Sequence, residues 1–446
     1  MKRINLLIVV LFFLTELKAQ ENKIWTLKAC VNHALENNIS IKQSELDKGN
    51  AIQDVTAAKW NFFPNLNANA SQSFIYGSTI GVSGARISNN ISANNFGVNS
   101  SLTLFNGFSN LHSLKQAQIG VEVQDAALQK MRNDVVLNVA NAYLQVLFAE
   151  EQLRVAEEQV KISEGEVNRT KELVDAGVLP KGDFLNINSV LANDNQNLVI
   201  AQNTFSVARL RLGQLLQLEE PFIMVEPVDM TIKEQGVLLN SAKDIYIQAS
   251  TTMPEIKLAE LNIQSAEESI KLAQSNYYPT LTLNYGMNTV YQRLMGDPIP
   301  GFDTPSFSNQ IDNNLGNTIS LSLNVPIFNR FQFKTNVNKS SINQQRIVYS
   351  LESEKLRLRE TIQMAYTDAL AASKAYDAAS LSVEAQQEAF NYARERFAAG
   401  AINSFDFNQT KNSLVAAESQ LIQAKYDFIF KLKVLEFYSG IPIVGN

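Results

Sequence analysis

Two periodicities alternate along the 446-residue chain, and the alternation is written twice. Between Asn110 and Asp175 there is no proline, and Val139, Ala142, Val146, Ala149, Leu153, Ala156, Val160, Ser163, Val167, Thr170 and Val174 recur in steps of three and four. A sustained 3.5-residue spacing is the seam of a coiled coil. It predicts one helix of roughly 65 residues, about 100 Å long at the usual helical rise. The same seam returns as Ile362, Ala365, Ala369, Ala372, Tyr376, Ala379, Val383, Gln386, Phe390, Ala393 and Phe397.

Each long helix is expected to end in a glycine turn, Asp175-Ala176-Gly177-Val178 and Ala398-Ala399-Gly400-Ala401, because glycine tolerates the left-handed position past a helix end. A returning helix follows each turn. Its seam runs from Phe184 through Ile187, Leu191, Asp194, Leu198, Ala201, Phe205, Ala208 and Leu212 to Leu215 in the first copy. In the second it runs from Phe407 through Thr410, Leu414, Ala417, Leu421, Ala424, Phe428, Lys431 and Leu435 to Tyr438. Leu27–Trp60 and Ala242–Asn276 are helical in pattern as well, and could supply the length that the shorter returning helices lack.

Past Pro64 the period falls to two. Leu66, Ala68, Ala70, Gln72, Phe74 and Tyr76 alternate with small polar residues, as do Phe96, Val98, Ser100, Leu102 and Leu104. Leu281, Leu283, Tyr285, Met287 and Tyr291, then Ile319, Leu321, Leu323 and Val325, form the second pair of segments. Segments of about 10–12 residues with one apolar and one polar face suit tilted strands in an outer membrane, lipid outside and water inside. Four strands cannot close a useful barrel, whose smallest examples have ~8, and lipid tolerates no open edge. Several copies are therefore expected to share one barrel. The intervening stretches, roughly 77–95 and 292–316, read as polar external loops.

The duplication has a measurable offset. Phe105-Asn106-Gly107-Phe108 returns as Phe328-Asn329-Arg330-Phe331, a shift of 223 positions (328 − 105). Asn61-Phe62-Phe63-Pro64 returns as Asn276-Tyr277-Tyr278-Pro279, a shift of 215 (279 − 64). The 8 additional residues (223 − 215) fall in the strand-and-loop region. The expected organisation is a first repeat over 21–217, an inter-repeat segment over 218–241 and a second repeat over 242–446.

Residues 1–20 read as a secretory signal, with Lys2-Arg3, an apolar run from Ile4 to Leu14 and a cleavage site near Ala19. Composition narrows the chemistry. Cys30 is the single cysteine and there are 2 histidines, so no disulfide framework, metal cluster or catalytic constellation is expected. A net charge of −6 argues against nucleic-acid binding. No cofactor and no catalytic residue is assigned.

With these features together the chain resembles the TolC family of outer-membrane factors over nearly its whole length. The duplicated helix–strand–strand–helix unit, the Phe-Asn-Gly-Phe and Phe-Asn-Arg-Phe junctions, and the glycine turns followed by Asp183 and Asp406 carry the resemblance. It implies a mainly α protein with a β-barrel part: a homotrimer with a 12-stranded outer-membrane barrel in lipid, four strands from each protomer, above a periplasmic helical tunnel. It also implies a periplasmic adaptor (membrane fusion protein) and an inner-membrane transporter as partners. The segment at 219–240 would belong to a belt around the tunnel.

The resemblance implies an acidic constriction at the tunnel tip, for which Asp183 and Asp406 are the candidates. Both would also favour the positive end of a helix dipole. The family's second acid three positions on is here Gln409, its preceding arginine is Asn403, and neighbouring positions offer no obvious substitute. Gly177, Val178, Gly400 and Ala401 would present the adaptor-docking turns. Phe62, Phe63, Phe105, Phe108, Tyr277, Tyr278, Phe328 and Phe331 would form an aromatic girdle at the membrane interface, or simply pack at the bends. The competing class is a structural, envelope-spanning coiled coil or adhesin, which needs no strand alternation.

Overall fold

The computed structural model describes residues 24–80, 84, 86–88, 90–219, 224–226, 240–295 and 305–443. The proposed signal and most of the inter-repeat segment lie outside these. A short strand β1 (Ile24–Trp25) precedes helices α1 (Leu27–Asn37) and α2 (Ile39–Trp60). Strands β2 (Asn67–Ile75), β3 (Ser78–Ile80), β4 (Arg86–Ser88) and β5 (Ile91–Asn106) come next. The hairpin helices are α3 (Ser109–Asp175) and α4 (Lys181–Leu215). After β6 (Met224–Val225) the second copy runs α5 (Ala242–Thr252), α6 (Pro254–Ser275), β7 (Thr280–Leu294), α7 (Phe307–Asn313), β8 (Gly316–Asn324), α8 (Gln332–Ala398) and α9 (Ser404–Tyr438).

Helix lengths reproduce the offsets to the residue. α3 and α8 have 67 residues each, and α4 and α9 have 35 each, all displaced by 223. α1 and α5 have 11 and α2 and α6 have 22, displaced by 215. Each segment before the strands is thus two helices. The breaks have local causes: Pro254 begins α6, and the Asn38 side chain accepts the Ser40 N–H at 2.9 Å.

The chain divides into two compact units, each drawing on both repeats. The first comprises residues 1–45, 127–257 and 353–446. Here every predicted seam position is buried or half-buried. The main core joins Cys30, Val31 and Ile41 to Val139, Tyr143, Val146 and Leu212, with Ile429 from α9. Cys30 is a core residue, fully buried, and burial pushes its thiol up to about 12. The Tyr143 hydroxyl, also fully buried, reaches the carbonyls of Glu226 at 2.6 Å and Trp25 at 3.2 Å. It thereby anchors the parallel pair β1–β6. Nearer the glycine turns, Phe407 stacks on Phe397 with centroids 4.8 Å apart and packs beside Phe390 at 5.7 Å.

The second unit comprises residues 46–126 and 258–352. Its sheet runs β2-β5-β7-β8, antiparallel throughout. Register puts Leu102, Leu283 and Leu321 in one row on one face, and Ser101, Asn284 and Ser320 in the next row on the other. The inner strands are longer than the sequence pattern suggests: β5 has 16 residues and β7 has 15, whereas β2 and β8 have 9 each. The reason is that β5 and β7 continue to pair as far as Ile91 and Leu294.

Two stretches read as loops also carry structure. β3 pairs with β4, and α7 covers the upper part of β7. β8 ends its pairing at Asn288, which would leave the β7 backbone open beyond that point. Gln310 of α7 fills the gap: its carboxamide accepts the Gln292 N–H at 2.9 Å and donates to the Gln292 carbonyl at 3.0 Å. Asn314 donates to the Val290 carbonyl at 2.7 Å. A side-chain amide thus imitates a strand residue and protects an exposed edge.

Candidate functional site

Both glycine turns close the same way. Gly177 (φ +75°) donates to the Val174 carbonyl at 2.9 Å, and Val178 to the Leu173 carbonyl at 2.8 Å. Gly400 (φ +70°) and Ala401 repeat this on Phe397 and Arg396. Nothing lies within 4 Å of a Cβ built at either glycine, so backbone conformation alone selects glycine there. Val178 is 62 % exposed and Phe405, just beyond the second turn, is 72 % exposed. The tip is therefore apolar and uncovered within the chain.

The two candidate aspartates have different surroundings. Asp183 is half-buried and its Oδ1 accepts the Ser404 hydroxyl at 2.7 Å, tying α4 to the start of α9. Asp406 is exposed, and among the described residues its carboxylate has no hydrogen-bond or ion-pair partner. Its backbone N–H is capped by Asn403 Oδ1 at 2.9 Å. Asn403 is accordingly the N-cap of α9 rather than half of an ion pair.

A charged link nevertheless exists close by, which the neighbouring sequence does not reveal. Lys411 on α9 is 2 % exposed, and its ammonium donates to Asp194 Oδ2 on α4 at 2.7 Å. Ser163 on α3 donates to the same oxygen at 2.5 Å and also contacts the Lys411 ammonium. One buried pair therefore fastens the first hairpin to the second. Gln159, Ser163, Glu166 and Thr170 make this face of α3 polar, and Gln159 Oε1, Glu166 Oε2 and Thr170 Oγ1 are buried without a partner. Burial raises the Glu166 carboxyl above its ordinary value, opposed by the positive charges of Arg169, Arg394 and Lys411. Sequence offered one signal for this cluster: Ser163, Thr170 and Asp194 are polar residues at seam positions.

The sheet carries the remaining candidate residues. Its strand register brings the four helix–strand junctions to one end, since Asn106 pairs with Thr280 and Thr280 with Asn324, while Asn65 N–H bonds the Ser101 carbonyl. The aromatics there are in edge-on or tilted pairs. Phe105 meets Phe108 at 5.4 Å, Phe108 meets Tyr278 at 6.4 Å, and Phe328 meets Phe331 at 6.0 Å. Trp60 beside Phe63 and Phe333 beside Tyr277 join the set, although the repeat alone did not single them out. Phe62, Phe63, Phe108, Tyr277, Tyr278, Phe328 and Phe331 are all exposed, whereas Phe105 is half-buried.

β2 and β8 end the sheet with no further strand beside them among the described residues, and all nine residues of each are exposed. Among the described residues no helix is long and apolar enough to cross a membrane, which leaves the role of a β-barrel open. Amphipathic antiparallel strands with aromatics at their junctions, together with duplicated coiled-coil hairpins, mark a membrane channel of the outer-membrane kind. A model of the outer membrane efflux protein family matches residues 30–217 and 245–440. The chain belongs to that family, and its place is the outer membrane.

Relatives and solved structures agree. The chain is 22 % identical over 418 residues to outer membrane protein TolC of Salmonella enteritidis, covering 91 % of this chain and 79 % of that one. It is 23 % identical over 423 residues to the cation efflux system protein CusC of Escherichia coli K12, with coverages of 90 % and 83 %. The Campylobacter jejuni CmeC outer membrane channel superposes with a TM-score of 0.77 at 16 % identity, covering 94 % of this chain and 87 % of that one.

Proposed function

We propose that this chain is the exit duct of a tripartite efflux or type I secretion system, passive in itself and built from three copies. One observation carries the reading: among the described residues the four-stranded sheet ends in two unpaired edges of equal length, β2 and β8. With four antiparallel strands, β8 of one copy runs antiparallel to β2 of the next, so head-to-tail pairing closes a ring without a mismatched junction. Three copies give the 12 strands that the family resemblance implies. Open edges and exposed leucines such as Leu321 and Leu323 have no other stable place in lipid.

The helices support the same reading. Beside its buried seam, α8 carries a second stripe of exposed apolar residues: Ile342, Tyr349, Leu356, Met364, Leu381 and Tyr392. A helix with two apolar stripes wants two neighbours, and the described residues of this chain cover only one stripe. Neighbouring copies would cover the other, forming a helical tunnel in the periplasm.

In this reading the repeats at 21–217 and 242–446 are the near-equivalent staves of the tunnel, joined through 218–241. The turns at Gly177-Val178 and Gly400-Ala401 receive the periplasmic adaptor, and an inner-membrane transporter supplies the energy. Exposed Asp406, with Asp183 behind it, contributes to an acidic constriction. The Lys411–Asp194–Ser163 link holds the two hairpins together at the closed tip. The girdle aromatics sit at the lipid boundary.

The test is direct. Full chain purified in detergent should run as a trimer and raise the conductance of a planar bilayer. A monomeric or rod-like species without conductance would sink the duct and favour a structural envelope protein.

A further inference from the structure

We propose that a belt of uncharged carboxamides in the sheet makes the barrel indifferent to the charge sign of its cargo. This rests on the reading that the polar face of the sheet lines water. Across that face the register sets Asn69, Gly97, Asn288 and Gly316 in one row, so that large polar and absent side chains alternate. The neighbouring row is Asn67, Asn99, Gly286 and Thr318.

The glycines determine how the asparagines lie. A Cβ at Gly97 would meet Asn288 Oδ1 at 2.6 Å and Asn69 Oδ1 at 2.9 Å. A Cβ at Gly286 would stand 3.3 Å from Asn99 Oδ1. The carboxamides are thus folded down over the glycine backbone rather than pointing away from the sheet. They are also tied to one another: Asn99 donates to Asn69 Oδ1 at 3.0 Å, and Ser101 donates to Asn284 Oδ1 at 2.9 Å. The result is a polar wall that lies flat, with its donors and acceptors partly satisfied within it.

Charge is missing from the wall as well. Arg293, next to the last residue of β7, is the only Asp, Glu, Lys, Arg or His in β2, β5, β7 and β8. Fixed charge on a confined wall enriches counter-ions and repels co-ions. A wall of amides does neither, yet hydrates both. Selection by sign is consequently assigned to the helical unit, where Asp406 is exposed.

The experiment uses the full chain with Ser320→Cys, reconstituted in lipid vesicles. Ser320 is exposed on the polar face opposite Asn284, and native Cys30 is fully buried. Rates of modification by a cationic and an anionic methanethiosulfonate reagent are compared with their rates on a free thiol. The expected ratio matches that of the free thiol. Adding Asn288→Asp should then tilt it towards the cationic reagent.

Enrichment of the cationic reagent by more than about tenfold on Ser320→Cys alone, the scale a charged cleft produces, would overturn the neutral belt while leaving the water-lined face intact. No modification by either reagent would overturn the lining itself.

Discussion

The Lys411 ammonium stands 2.7 Å from the Asp194 carboxylate, with Ser163 donating to the same oxygen. Three helices from both halves of the chain meet at that oxygen. Lys411→Ala leaves a mostly buried carboxylate without its partner, a change that costs ~3 kcal/mol or more when a buried pair is broken. The midpoint of thermal unfolding should fall accordingly, and adding Asp194→Ala should restore part of the loss. A single variant as stable as the parent would show that the pair contributes little.

The two tip aspartates are expected to separate. Asp183→Ala removes the acceptor of the Ser404 hydroxyl and should cost about 1 kcal/mol, the worth of an ordinary hydrogen bond. Asp406→Ala removes an exposed carboxylate and should leave stability nearly unchanged. In bilayer recordings, Asp406→Ala should reduce cation preference. Equal effects of both changes on selectivity and stability would refute the division of roles.

Glu166 gives the helical region a defined pH response. Its folded carboxyl is raised above 4.5, mainly by burial. A raised group contributes stability that is present below 4.5 and is lost as pH climbs through the folded value. Glu166→Gln keeps the shape and removes the charge, so it should stabilise the protein at neutral pH and make little difference at pH below 4.5. Paired melting curves at the two pH values provide the check. The opposite ordering would mean that Arg169, Arg394 and Lys411 outweigh burial.

Gln310→Ala uncovers the β7 edge, freeing the N–H and the carbonyl of Gln292 together with the carbonyl of Pro305. Leaving such groups unpaired costs about 1–3 kcal/mol where water cannot reach them. Hydrogen exchange at Gln292 should accelerate while exchange at Leu283, paired on both sides, stays slow.

The helices were the most legible part of the sequence because alanine and valine at 3.5-residue spacing leave few alternatives. Gly177 and Gly400 then mark the ends of α3 and α8. The strands were legible in kind but not in length. Pairing between Ile91 and Leu294 joins residues some two hundred positions apart, and local alternation does not reach that far. α7 gave no signal either, being seven residues whose purpose is a bond to another element. The Lys411 link was hidden for a related reason. Ser163 and Asp194 occupy seam positions, where periodicity assigns them to packing, while Lys411 lies off its own seam.

Matched helix lengths have a consequence for how this chain can change. α3 and α8 share 67 residues, and α4 and α9 share 35, although the intervening region has gained 8 residues in one copy. An insertion in one hairpin would leave its twin behind and carry one tip past the other. A change of length is therefore tolerated in the strand-and-loop region, whereas one that lengthened the hairpins would have to be made in both copies.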